Sequence, residues 1–255
     1  MIIDAHAHIS DTDYGSLKIY EEEAAKINAD KAILFPGGSI DVRKMTRYIA
    51  MKETPENVPV NNDLLKEIMS TQSNKYRAFW GINPKLTTVQ EALDDFEEAV
   101  KKYGFVGLKL SPTSHQFSFT NKIIQELMNL AGELGVPVYS HTVFAPGAST
   151  DKFAFCAKTF PKTNFIIGHM GFGPADIDAV EYAKENDNLY METSGGSYSI
   201  IKTALERLGD EKVIFGSEFP LQSIKSEYEK IMQVDSRYNL ENVFANNIVR
   251  LTHAW

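Results

Sequence analysis

Eight short apolar runs recur down the chain, at residues 2–5, 31–35, 77–82, 105–110, 136–140, 164–168, 188–192 and 212–216. They are continuous rather than strictly alternating, the pattern of parallel strands covered on their outer face by helices. Between them lie stretches of helical periodicity. Residues 14–28 carry Leu17, Tyr20, Ala24 and Ile27 on one side, residues 89–103 carry Leu93, Phe96 and Val100, and residues 121–134 carry Ile124, Leu127, Met128 and Ala131. Residues 150–160, 176–185 and 199–208 continue the series, and Gly104, Gly135, Pro137 and Pro161 supply stop signals before the next strand. Eight strand–helix units in 255 residues predict an α/β fold, a (β/α)8 TIM barrel, whose sites gather at the C-terminal ends of its strands. A doubly wound open sheet is the competing architecture, but no Gly-x-Gly-x-x-Gly follows a strand. Residues 36–74 exceed one crossover and predict an insertion after the second strand, with helical patterns at 43–51 and 63–70. Residues 221–255 predict two extra C-terminal helices, and without a low-complexity linker residues 1–255 read as a single domain.

Composition narrows the partners. The hydrophobic fraction of 43% is ample for a core, and a net charge of −8 argues against a nucleic-acid or anionic-membrane surface, which needs basic patches. The lone cysteine, Cys156, lies in an apolar helical pattern and suits a reducing compartment without disulfides. No apolar run approaches the ~20 residues of a membrane span, and no secretory signal opens the chain, so a cytoplasmic protein is expected.

The first strand ends in Asp4-Ala5-His6-Ala7-His8. Residues two apart on a strand share a face, so Asp4, His6 and His8 are expected to project together, the two imidazoles forming a pincer for a divalent metal. Further chemically capable residues fall at later strand ends: Lys109 on the fourth, His141 on the fifth, His169 on the sixth and Glu218 on the eighth. Four of the six histidines thus occupy equivalent positions, and closing a barrel brings those ends together.

This ordered set resembles the amidohydrolase superfamily, most closely the amidohydrolase-2 group that includes aminocarboxymuconate-semialdehyde decarboxylase and related metal-dependent hydrolases. The resemblance spans nearly the whole chain and rests on Asp4-Ala5-His6-Ala7-His8, on His141 and His169, and on Gly216-Ser217-Glu218-Phe219-Pro220, with a weaker match at Asn246-Asn247 in the last helix. The group usually carries Asp where this chain has Glu218, whose extra methylene moves the carboxylate by about 1.5 Å.

The resemblance implies one divalent metal, expected to be Zn²⁺, held by His6, His8, His141 and Glu218, with water activated at neutral pH. His169 is then expected to orient water, stabilise an oxyanion or protonate a leaving group, with Glu218 also available as a base. Asp4 is expected to accept a hydrogen bond from a ligand imidazole and fix its tautomer. Lys109 has two readings: in binuclear members of the superfamily a carboxylated lysine on this strand bridges two metals, whereas a charged Lys109 would pair with a substrate carboxylate or with Glu192. His115, Arg43, Arg47 and Tyr48 are candidate substrate contacts, while Trp80 reads as core and His253 has no assigned role. The expected partner is a small, anionic molecule, and a homodimer is compatible with the sequence. Three functions follow: a hydrolase acting on a cyclic ester, lactone or amide, as the first reading; a non-oxidative decarboxylase or hydratase on the same site, as the alternative; and a non-catalytic metal-binding protein.

Overall fold

A computed structural model describes every residue except Pro146 and Asp235. Its strands are β1 (Ile3–Ile9), β2 (Lys31–Pro36), β3 (Tyr76–Ala78), β4 (Trp80–Gly81), β5 (Leu108–Leu110), β6 (Val138–Ser140), β7 (Phe165–Ile167), β8 (Leu189–Glu192) and β9 (Val213–Ile214). All pairings are parallel, in the orders β1-β2-β3 and β4-β5-β6-β7-β8-β9. Strands β3 and β4 are the halves of the third apolar run, split at Phe79, whose N–H donates to Leu34 O (3.0 Å) while the next N–H, of Trp80, donates to Gly107 O (2.8 Å). The two sheets therefore continue into one another.

The first and last strands meet as well. Ala5 N–H donates to Phe215 O (3.1 Å), Glu218 N–H to His6 O (2.7 Å) and His8 N–H to Phe219 O (2.7 Å). These bonds remove the free edges an open sheet would keep, so the doubly wound alternative gives way to the TIM-barrel arrangement.

Buried side chains divide accordingly. Ile3, Ala5, Ile33, Phe35, Phe79, Tyr139, Ile166 and Ile214 form one cluster inside the ring of strands, floored by Ile248 and Leu251 of the last helix (Asn247–Thr252). A larger cluster lies between strands and helices, where Trp80 packs on Phe96 with ring centroids 5.5 Å apart, as core rather than pocket wall. Cys156 is buried in this layer, on helix Thr150–Thr159. Helices start where the sequence offers side-chain acceptors. Thr88 and Glu91 close a capping box at helix Val89–Lys101, and Asn121 caps helix Lys122–Leu134, which Gly135 ends in a left-handed turn.

Strand β1 departs from simple alternation. Its register against β2 runs Asp4↔Ala32 and then Ala7↔Leu34, so one extra residue is inserted between them. That bulge shifts the phase of the strand. Ile3 and Ala5 point into the barrel before it, and His6 and His8 face the interior aromatic cluster after it, whereas Asp4 is turned outward to Tyr20. The expectation that Asp4 shares a face with the two histidines is corrected on this ground.

The insertion after β2 contains helices Met45–Ile49 and Asn62–Gln72. The C-terminal region forms helix Ile224–Met232 and a π turn running into Asn247–Thr252. Among the described residues, no helix is long and apolar enough to cross a membrane.

Candidate active site

His6 and His8 leave the end of β1 with their Nε2 atoms 3.1 Å apart. His8 Nδ1 lies 2.9 Å from the carbonyl oxygen of Pro36, which only accepts, so Nδ1 carries the proton and Nε2 presents its lone pair. His6 Nδ1 lies 2.9 Å from Tyr139 Oη, 3.2 Å from Ser194 Oγ and 3.3 Å from Glu192 Oε2. Burial, with Lys109 adding, pulls His8 down to about 3 and His6 well below the usual imidazole range, so both rings are neutral, the form that ligates a metal. Two nitrogens bound to one tetrahedral ion at about 2.0–2.1 Å stand about 3.4 Å apart. The observed separation fits a shared divalent cation.

A cavity opens beside this pair, walled by His8, Lys109, His141, Glu218 and His115, with Ile40, Val42, Met45 and Val60 from the insertion on the outer side. Glu218 and His169 both have left-handed backbone conformations, φ 55° and 61°, an uncommon state for residues other than glycine that concentrates at functional sites. Glu218 Oε1 lies 3.4 Å from His169 Nε2. Burial, with Glu192 adding and Lys109 opposing, pushes the Glu218 carboxyl up to about 8. Burial likewise holds His169 down at about 4.

His141 is more committed. Its Nε2 accepts from the backbone N–H of Thr113 (3.2 Å) and lies 2.9 Å from the Thr113 hydroxyl, while its ring centroid is 6.2 Å from that of His169. It lines the same cavity, yet Nε2 must give up Thr113 before it can bind a metal.

Lys109 is 2% exposed, and its Nζ has no hydrogen-bond partner among the described residues. It sits over the faces of Tyr139 (4.1 Å to the centroid) and Phe35 (5.0 Å). Burial pulls its ammonium down to about 7, with Glu218 and Glu192 pulling the other way. A direct Lys109–Glu192 pair, one of the two pairings offered for a charged Lys109, does not form, and Glu192 is occupied elsewhere. Its Oε1 accepts from Ser194 N–H (2.6 Å), and its Oε2 accepts from Tyr139 Oη (2.7 Å), Ser194 Oγ (2.8 Å) and His169 N–H (3.3 Å).

His6, His169 and Glu192 also offer ligand atoms within 4.8 Å of one another. With four donors already aimed at its two oxygens, Glu192 acts better as a buttress than as a ligand. Sequence reasoning considered Glu192 only as a partner for Lys109. Its place at a strand end, like that of the histidines, was the available signal.

Other expectations change. Asp4 accepts from Ser217 N–H (2.9 Å), Ser217 Oγ (2.6 Å), His6 N–H (3.1 Å) and Tyr20 Oη (3.2 Å), and from no imidazole. It clamps β1 to the segment that carries Glu218, and burial raises it to about 7 against those bonds. Arg43 and Arg47 are exposed and paired with Asp41 (2.8 Å) and Glu53 (2.9 Å), and neither they nor Tyr48 lines the cavity, which the insertion meets with apolar side chains instead. His115 does line it, buried, with Nδ1 unpartnered among the described residues and held down at about 4 by burial.

A family model described as Amidohydrolase matches residues 3–251. The chain belongs to the amidohydrolase-2 family. No curated protein matches its sequence. Solved structures share the fold at low identity. A dihydroxybenzoic acid decarboxylase from Polaromonas, with bound manganese and 2-nitroresorcinol, superposes with a TM-score of 0.71 at 16% identity, covering 99% of this chain and 96% of that one. A 5-carboxyvanillate decarboxylase from Sphingomonas paucimobilis gives 0.70 at 14%, covering 100% and 99%. A probable 2-pyrone-4,6-dicarboxylic acid hydrolase from Acinetobacter baumannii, with citric acid bound, gives 0.67 at 15%, covering 99% of each chain.

Proposed function

We propose that this chain is a metal-dependent, non-oxidative decarboxylase of a small carboxylated substrate. The observation that carries this reading is Lys109: a buried amine without a hydrogen-bond partner among the described residues, on the wall of the cavity that also holds His8, His141 and Glu218. An uncompensated buried cation is costly, and a substrate carboxylate is the group that offsets that cost. The two decarboxylase relatives support the same choice, which replaces hydrolysis as the first reading.

His6 and His8 would hold the ion, with His141 and Glu218 on the same cavity wall as the proposed remaining ligands. Manganese, bound in the Polaromonas relative, is the first ion to test ahead of zinc. A bound divalent ion supplies a Lewis acid that draws electron density from substrate oxygens. The chain's own residues supply the rest. Lys109 orients the carboxylate. When the carbon–carboxylate bond breaks, CO₂ leaves and the electron pair stays on carbon, which must take a proton. His169, its Nε2 3.4 Å from Glu218 Oε1, is the group that holds that proton. The apolar side chains of the insertion shield the body of the substrate from water.

Hydrolysis of a cyclic ester, lactone or amide is the second reading, supported by the Acinetobacter relative. Incubating manganese-loaded protein in ¹⁸O-labelled water with hydroxybenzoic acids, β-keto acids and lactones separates the two. Release of CO₂ with proton incorporation at the vacated carbon is expected. ¹⁸O in a new carboxylate without CO₂ would establish the hydrolase instead.

A further inference from the structure

We propose that Glu192 is a positioning residue that fixes the tautomer of His6, acting through the hydroxyls of Tyr139 and Ser194. Four donors converge on its two oxygens, two backbone N–H groups and two hydroxyls, so Glu192 serves as an acceptor throughout. Each hydroxyl has a single proton. Tyr139 spends its proton on Glu192 Oε2 (2.7 Å), and Ser194 does the same (2.8 Å). Towards His6 Nδ1, at 2.9 Å and 3.2 Å, both hydroxyl oxygens can then only accept. His6 must therefore carry its proton on Nδ1, and Nε2 faces His8 as a lone pair.

The packing around this relay leaves little freedom. A Cβ on Gly168 would overlap the Tyr139 hydroxyl, and one on Gly216 would overlap the Glu192 carboxylate and come within 2.8 Å of His6 Cβ. His169 provides an internal comparison. Its Nδ1 lies 3.0 Å from Ser194 Oγ but also 3.2 Å from the Ser194 carbonyl oxygen, an acceptor whatever Glu192 does. Loss of the Glu192 charge should release His6 and leave His169 as it was.

Glu192→Gln tests this with almost no change in shape. Each side of the carboxylate faces one backbone N–H, and the closer, Ser194 N–H at 2.6 Å from Oε1 against His169 N–H at 3.3 Å from Oε2, selects the amide oxygen, which places the NH₂ group against the two hydroxyls. The hydroxyls then receive from the amide and donate to His6 Nδ1, forcing its proton onto Nε2.

The inference concerns the same His6 that the proposed function uses, but the tautomer is read in metal-free protein without substrate, so either can fail alone. Long-range ¹H–¹⁵N correlation spectra of ¹⁵N-histidine-labelled protein, assigned through His6→Gln and His169→Gln, report it directly. His6 and His169 are both expected as Nδ1–H in the wild type. Glu192→Gln should convert His6 to Nε2–H, leave His169 unchanged and weaken manganese binding about 10–100-fold, the usual effect of losing an outer partner of a metal ligand. Tyr139→Phe, which leaves Glu192 and the Ser194 hydroxyl as acceptors, should keep His6 as Nδ1–H, and its conversion to Nε2–H there would overturn the proposal. A wild-type His6 protonated on Nε2, donating to His8, would overturn the proposal without any variant. Retention of Nδ1–H in folded Glu192→Gln would overturn it equally.

Discussion

His6 Nε2 and His8 Nε2 stand 3.1 Å apart at the end of a bulged strand, with His8 fixed from behind by Pro36. The bulge is what aims both rings at one point. Replacing His8 by Ala should leave the fold intact, since His8 is partly exposed at the cavity, and should weaken manganese binding by more than about 100-fold. Metal content after dialysis, measured by plasma mass spectrometry, checks this. A His8→Ala protein that retains wild-type metal would remove His8 from the site.

Lys109→Met separates stability from activity. Removing a buried amine that has no hydrogen-bond partner among the described residues, while keeping an unbranched side chain, should stabilise the protein by roughly 1–3 kcal/mol. It should also lower kcat/KM on a carboxylated substrate about 10–100-fold, the scale of one charge-assisted hydrogen bond. Thermal melts and steady-state kinetics on one preparation would show the two effects moving in opposite directions.

The same lysine predicts a pH dependence. Burial holds Lys109 at about 7 in the folded chain, against about 10.5 when unfolded. Between those values the unfolded state binds the extra proton, so this contribution makes stability rise with pH across that window, and it levels off outside it. Urea midpoints measured from pH 7 to 10 should climb less steeply in Lys109→Met than in the wild type. Parallel curves would argue against a neutralised buried amine.

Gly216→Ala should disturb the centre without replacing a ligand. The new methyl group collides with the Glu192 carboxylate and His6 Cβ, two groups with no room to retreat. A loss of about 1–3 kcal/mol in stability together with weaker metal binding is expected, read by calorimetry and metal titration. Unchanged metal affinity would show that the strand end yields more easily than its packing indicates.

Asn247 lies far from the chemistry but ties the last helix to the barrel. Fully buried, its Nδ2 donates to Asp210 O (2.7 Å) and Val213 O (2.8 Å) at the start of β9. Asn247→Ala would leave the buried Val213 carbonyl and the half-buried Asp210 carbonyl without that donor, at about 1–3 kcal/mol each where water cannot enter. A fall in unfolding free energy of about 2–4 kcal/mol, with metal content per folded molecule unchanged, is the expected outcome in denaturant titrations.

Most of the architecture was legible in the sequence because burial leaves a periodic trace. All eight apolar runs became strand segments, and the helical patterns at 89–103 and 121–134 became Val89–Lys101 and Lys122–Leu134 within the usual fraying of ends. The strand-end positions of His6, His8, Lys109, His141, His169 and Glu218 followed from the same trace, since parallel strands closing into a barrel present their ends at one mouth. Placement near that mouth was therefore a consequence of the sequence.

Orientation was not. A single inserted residue in β1 turned Asp4 away from the site and the two imidazoles into it, and a bulge has no signature in a run as short as residues 2–8. Arg43 and Arg47 found Asp41 and Glu53 inside the insertion, a choice among nearby charges that only packing makes. Glu192, Tyr139 and Ser194 gained their significance from hydrogen bonds spanning 53 and 188 residues of chain, as between Tyr139 and Glu192 and between His6 and Ser194. Periodicity reports which face of an element is apolar, a property of neighbours in sequence. Which nitrogen bears a proton, and which cation is left without a partner, depends on atoms brought together only when the barrel closes.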